Sequence, residues 1–158
     1  MNEIILLKLG EVVLKGLNRR SFEDKLLSNI RRRLQHCGSF RVSSKQSTIY
    51  VEPEEPGCDM DQAYDLCKKV FGIVSVTRAR PCPKDKDAIL ACAKAYLDSQ
   101  LTAAGSFKVE TKRADKNFPM TSMEISQYVG GMLHDAYPHL RVDVHTPELC
   151  VHVEIREK

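Results

Sequence analysis

The chain has 158 residues, 42% hydrophobic and 28% charged, with no Trp and a net charge of +3. That length suits one ordinary domain or two small ones, and the composition excludes a disordered or low-complexity chain. The charge is uneven: Met1–Tyr50 holds ten basic and four acidic residues, whereas residues 51–65 hold six acids and no base, which fits either an oriented field or an ordinary solvated helix face.

In chain order, Ile4 to Leu9 reads as a buried first strand. The apolar run from Met1 is broken by Lys8 and Glu11, is too short for a membrane span and precedes no small-residue cleavage site, so the expected setting is cytoplasmic, with no membrane contact. A loop with Gly10 and Gly16 follows. Ser21 and Asp24 form a capping-box pattern, and Phe22, Leu26, Ile30 and Leu34 share one face of the helix they open. Gly38 stops that helix. Phe40–Ser43 and Thr48–Glu52 read as a hairpin around Ser44–Ser47, and Pro53, Pro56 and Gly57 break the chain. A second helix is expected over Met60–Phe71, with Ala63, Leu66, Cys67 and Val70 inward. Gly72 ends it, and Ile73–Arg80 reads as a strand with Val74 and Val76 inward and Arg78 and Arg80 outward. The order β-α-β-β-α-β predicts a ferredoxin-like α+β sandwich over residues 1–80.

Pro81-Cys82-Pro83 is a stiff break, because proline neither donates to a ladder nor continues a helix. A second domain, 81–158, is placed after it. Its first helix runs from Asp85 to about Leu101, with Ile89, Cys92, Ala93, Tyr96 and Leu97 inward. Gly105 precedes an alternating strand: Phe107, Val109 and Thr111 on one face, Lys108, Glu110 and Lys112 on the other. Pro119 and the capping pair Thr121/Glu124 open a helix with Ile125, Val129, Met132 and Leu133 inward. Two strands, alternating at Leu140, Val142, Val144 and at Leu149, Val151, Val153, Ile155, are expected to be joined by a turn at Thr146-Pro147-Glu148.

Two strand-to-helix junctions carry candidate binding residues. The loop from Gly10 to Arg20 offers glycines, a helix N-terminus and the cations Lys15, Arg19 and Arg20. It reads equally as a phosphate cradle or as a surface loop with a basic rim, although cations stand where acids would suit the helix dipole. The stretch Lys112-Arg113-Ala114-Asp115-Lys116-Asn117-Phe118-Pro119 gathers three cations, an amide and an aromatic ring. Lys112, Arg113 and Lys116 suit phosphate contacts and Asn117 a base or sugar contact, while Phe118 reads better as a hydrophobic staple than as a stacking platform.

Other features suggest less. Gly130-Gly131 inside a helix costs roughly 1 kcal/mol per glycine against Ala, and tight packing on the sheet is the preferred explanation over approach of a ligand. Six cysteines form no C-x-x-C and read as reduced thiols, several packed as small apolar side chains. His145 and His152 fall on neighbouring expected strands and read as surface histidines, not a metal pair, and no metal ligand is assigned. The sequence has no Walker-type loop, Ser-Gly-Gly-x-Asp-Ser pyrophosphate loop, nucleophile elbow, methyl-donor glycine motif or zinc deaminase signature, so no catalytic residue and no cofactor are expected in it.

Residues 10–23, Gly-Glu-Val-Val-Leu-Lys-Gly-Leu-Asn-Arg-Arg-Ser-Phe-Glu, resemble the N-terminal signature of tRNA 4-thiouridine synthases, the tRNA sulfurtransferases that also serve thiamine thiazole synthesis in many bacteria. Phe107 to Pro119, together with Thr121-Ser122-Met123-Glu124, Gly130 and the stretch from Val142 to Arg156, is similar to a THUMP domain, a module that also occurs in RNA methyltransferases, deaminases and adaptor proteins. The resemblance implies a ferredoxin-like domain and a THUMP α/β domain that hold the acceptor stem and unpaired 3′ end of tRNA. It further implies presentation of uridine 8 to a pyrophosphate-loop domain, where ATP activates the uridine and a persulfide donor, with a cysteine desulfurase as the sulfur source, replaces its oxygen. A homodimer is implied for the parent. The chain stops at Lys158, about where that catalytic domain is expected, so the reading is a fragment, a truncated piece or a stand-alone RNA-binding adaptor. A protein-interaction or ligand-sensing module is the rival reading.

Overall fold

Strand β1, Ile4–Leu9, buries Ile5, Leu7 and Leu9 and leaves the alternate residues half-buried, as a strand with one helix-covered face should. The computed structural model describes residues 3–10, 19–45 and 47–156, and it divides into two units, Met1–Pro81 and Cys82–Lys158, each with its own core.

In the first unit, β1 pairs antiparallel with β3 (Thr48–Pro53) on one side and β4 (Ile73–Ala79) on the other, and β2 (Phe40–Lys45) lies beyond β3. The order β2-β3-β1-β4, with two α-helices among the described residues, is the ferredoxin-like sandwich read from the sequence. Helix α1, Arg19–Arg33, buries Leu26 and Ile30, and Leu34 is buried in the 3-10 turn Leu34–His36 that follows. The helix begins two residues before Ser21, so Ser21 is not its cap. Gly38 is required by geometry: its φ is +127°, and a Cβ there would sit 2.7 Å from the Cys58 sulfur.

Helix α2, Met60–Cys67, is capped by Asp59, whose side chain accepts the Gln62 N–H at 3.0 Å. It ends four residues before the expected Phe71. The Lys69 and Val70 N–H groups shift to i→i−3 acceptors, Leu66 and Cys67, which tightens the chain into turns before Gly72. Val70 stays buried through this tightening, and Phe71 is 86% exposed.

Strand β4 departs from the simple alternation expected of it. The β1–β4 register shifts between Lys8, opposite Ser75, and Leu9, opposite Ile73. Val74 is the extra residue of that bulge and is 71% exposed, whereas Ile73 and Val76 pack on the core. Arg78 does not simply face outward: its guanidinium spans Glu3 at 2.7 Å and Asp61 at 2.6 Å.

In the second unit, α3 (Lys86–Ala103) is capped by Asp85 and buries Ile89, Leu90, Ala93 and Leu101. Leu97 packs against the same core, and Cys92 and Tyr96 are only half-buried. Strand β5, Ser106–Arg113, is central. Helix α4, Ser122–Ala136, lays Ile125, Val129 and Leu133 against the core. Each fully buried aliphatic side chain contributes about 1.5–3 kcal/mol, so this stripe outweighs the cost of Gly130 and Gly131. Met132, expected inward, is at the edge of the stripe and 38% exposed.

The last two strands are not neighbours joined by the expected turn at Thr146-Pro147-Glu148. Strand β6, Arg141–Val142, and β7, Leu149–Ile155, flank β5 on opposite sides, both parallel to it. Both start beside the N-terminal end of β5, so residues 143–148 need only cross beneath that end. The crossing is fastened by the Gly105 N–H to Glu148 (2.9 Å), the Glu148 N–H to the Ser106 hydroxyl (3.0 Å) and the Asp143 carboxylate, which accepts the N–H groups of His145 and Thr146. With only two residues paired, β6 leaves Val142 and Val144 exposed, and His145 lies in the crossing rather than on a strand beside His152.

Candidate nucleic-acid interface

Parallel strands β5 and β7 end at the same edge of their sheet, where the loop from Ala114 to Met120 leads into α4. Ligands of open α/β sheets gather at such carboxyl-terminal strand ends. The loop is built around Asp115. Its carboxylate accepts the Lys84 ammonium at 2.7 Å and the Asn117 N–H at 3.0 Å, while its own N–H and that of Ala114 bond the Ile155 carbonyl. Lys84 also donates to the Arg156 carbonyl at 2.9 Å, tying the loop to the end of β7. Lys84 and the Asn117 N–H hold the Asp115 carboxyl below the usual carboxylate range.

Phe118 is 7% exposed within the core, as a staple should be, and it anchors the far side of the loop. Arg113 is half-buried, and its guanidinium donates to the carbonyls of Phe118 (3.1 Å) and Met120 (3.4 Å). The capping box then starts α4: the Thr121 hydroxyl accepts the Glu124 N–H, and the Glu124 carboxylate accepts the Thr121 N–H.

Lys112, Lys116 and Asn117 are exposed on this frame, and neither lysine is paired with a carboxylate among the described residues. The frame therefore offers two free ammonium groups and an amide, with Arg113 serving first as a brace. Glu124 occupies the helix start, so an anion is better received by the lysines than by the α4 N-terminus. The Lys84–Asp115 clamp could not be read beforehand, because its partners stand 31 positions apart.

For the first junction, Lys15 and the side chain of Arg19 lie outside the described residues. Arg20 is exposed in the first turn of α1, which holds no acid. Arg31, Arg32 and Arg33 occupy its last turn, where cations suit the helix dipole: Arg31 bonds the Val42 carbonyl, and the other two bond Asn29.

Tight packing does not account for Gly131. A Cβ there would meet nothing within 4 Å, and one at Gly130 would make an ordinary contact with Val109. The two glycines instead line a shallow groove of about 530 Å³ with Met132, His134 and Val142. Among the six cysteines, Cys37 and Cys67 are buried, and burial, with Cys37 nearby, pushes the Cys67 thiol up to about 11.

Residues 4–77 match the model of the ThiI ferredoxin-like domain, and residues 83–158 match that of the THUMP domain. The chain is 44% identical to a probable tRNA sulfurtransferase of Acetivibrio thermocellus and 42% identical to one of Caldanaerobacter subterraneus, covering 99% and 100% of this chain but only 41% and 40% of those proteins. The chain therefore spans about two fifths of the length of the curated relatives it matches. A solved 4-thiouridine synthetase–RNA complex with bound ATP superposes over 99% of this chain and 39% of that one, with a TM-score of 0.83 at 25% identity. PH1313 from Pyrococcus horikoshii shares the fold, with a TM-score of 0.82 at 24% identity over 99% of this chain and 52% of its own. The chain belongs, domain by domain, to the ThiI ferredoxin-like and THUMP families, in the arrangement of the N-terminal part of the tRNA sulfurtransferases.

Proposed function

We propose that this chain is the tRNA-holding part of a tRNA sulfurtransferase. It grips the acceptor stem and the unpaired 3′ end, so that position 8 of the same tRNA reaches a site of 4-thiouridine formation carried by another part of the parent. The observation that carries this reading is the braced loop after β5, which offers Lys112, Lys116 and Asn117 at the strand ends on a frame already fixed by Asp115, Arg113 and Phe118. Because the loop backbone is already fixed, little main-chain order is lost on meeting a phosphate backbone, and the amide can read a base or sugar of an unpaired end. The RNA-bound neighbour and the sulfurtransferase relatives support the assignment. Lys15, Arg19 and Arg20 contribute further phosphate contacts from the first unit.

In the parent, ATP activates the uridine and a persulfide, supplied by a cysteine desulfurase, delivers sulfur. The parent acts in the cytoplasm as a homodimer, and its sulfur transfer also serves thiamine synthesis.

The test is tRNA binding followed by fluorescence anisotropy across a salt series. Lys112→Ala and Lys116→Ala should each weaken binding and reduce the slope of log K against log salt by about one. Removing the unpaired 3′ nucleotides should weaken binding by the wild-type chain and leave little further effect of Asn117→Ala. Unchanged affinity and slope in the double lysine variant would refute the site. Arg113→Ala reads less cleanly, because it also removes the brace on the loop.

A further inference from the structure

The face of β5 turned away from α4 carries Lys108, Glu110 and Lys112, and in the parallel register Lys108 lies opposite Cys150 and Glu110 opposite His152. Residues two apart on a strand share a face, so Cys150 and His152 both stand beside Glu110. Their donor atoms, a carboxylate oxygen, a thiol sulfur and an imidazole nitrogen, all lie within 4.8 Å of one another. His152 Nδ1 is 3.6 Å from Glu110 Oε2.

We propose that Glu110, Cys150 and His152 form a three-ligand site for a zinc(II)-class divalent cation on this face of the second unit. Zinc takes thiolate, imidazole and carboxylate donors at about 2.0–2.3 Å, which places neighbouring donors of a tetrahedral ion roughly 3.5 Å apart. The His152–Glu110 separation already has that value, and the side chains of these two residues, 63% and 49% accessible, can close the rest by rotation once Glu110 turns from Lys108. Two of the three ligands come from one strand and the third from a paired strand, so the ladder sets their spacing before any ion arrives.

A cation already stands at this place. The Lys108 ammonium is ion-paired with Glu110, and the Val144 carbonyl, 3.5 Å away, is an alternative acceptor when the carboxylate turns to a metal. On ligation a sulfur–metal bond forms, and the Cys150 thiol proton passes to solvent. The ligand set then carries two negative charges against the two positive charges of the ion, and the fourth position faces solvent, as in sites that exchange a water or a partner's ligand. The thiolate and imidazole donors select zinc or cobalt over magnesium. The proposal is independent of the RNA-binding reading.

The experiment uses the whole 158-residue chain, reduced and freed of metal by chelation. Zinc(II) is titrated in competition with a chromophoric chelator, and cobalt(II) is followed by absorption. Expected are one equivalent of zinc per chain, no competition by magnesium, and a thiolate-to-cobalt charge-transfer band. Cys150→Ser should abolish that band, and His152→Ala and Glu110→Gln should each weaken zinc binding by at least about tenfold. Cys82→Ser/Cys92→Ser should leave both signals unchanged. A band that survives Cys150→Ser, zinc affinity unaltered in His152→Ala, or loss of the signals in the Cys82/Cys92 variant would each overturn the site. Circular dichroism of every variant separates lost binding from lost folding, and Glu110→Gln, at an exposed position, serves if Cys150→Ser does not fold.

Discussion

Asp115 accepts Lys84 on one carboxylate oxygen and the Asn117 N–H on the other, and these donors depress its pKa. A depressed folded value means that its contribution is fully present above the ordinary Asp range of about 3.9 and is lost as pH falls through the folded value. The loop should therefore loosen only in acid, with the Asn117 and Phe118 amide resonances shifting together with the Asp115 carboxyl. Lys84→Gln should move that midpoint upward, and an unmoved midpoint in an NMR titration would contradict the clamp. At this scale the sequence was partly readable. Phe118 as a staple and Thr121/Glu124 as a capping box follow from local spacing. The second role of Arg113 does not, because which donors a guanidinium satisfies depends on where the loop carbonyls point.

Helix α4 combines a strong start, a buried stripe and two glycines that nothing packs against closely. Its energetics separate into terms of opposite sign. Thr121→Ala removes the capping hydroxyl and should cost about 0.5–2 kcal/mol. Gly131→Ala adds a methyl group into open space and restricts the unfolded chain, so it should stabilise by about 0.5–1 kcal/mol. Chemical denaturation midpoints check both, and a destabilised Gly131→Ala would show that the helix is packed there after all. Periodicity identified the elements themselves: α4, β5 and the β-α-β-β-α-β run were found because apolar residues recur at 3.6 or 2. It does not show the pairing of β6 and β7, since alternation marks a strand and is silent about its neighbour. It also misplaced Val74, because a bulge changes the facing of one residue without changing its type.

At the scale of the whole molecule, the chain divides at Pro81/Cys82 into two units whose cores share no residue. Residues 82–158 alone should melt cooperatively and bind tRNA, because Lys112, Lys116 and Asn117 stand on elements of that unit. Affinity should be lower than that of the whole chain and the salt slope shallower, since the cations of the first unit are gone. A fragment without a cooperative transition, or with the affinity of the whole chain, would disprove this division of labour.

What the amino-acid order determined by itself is local. Turn residues, caps, apolar periodicity and the paired signatures around residues 10–23 and 107–119 were enough to specify two α/β modules and to point to RNA, because each depends on neighbours within a few positions. Only the tertiary structure decided which distant groups meet: Lys84 with Asp115, Glu110 with Cys150 and His152, and β6 and β7 on opposite flanks of β5. Those meetings are set by strand register and by the crossing beneath β5, and register arises from the packing of the whole sheet rather than from any short stretch of chain.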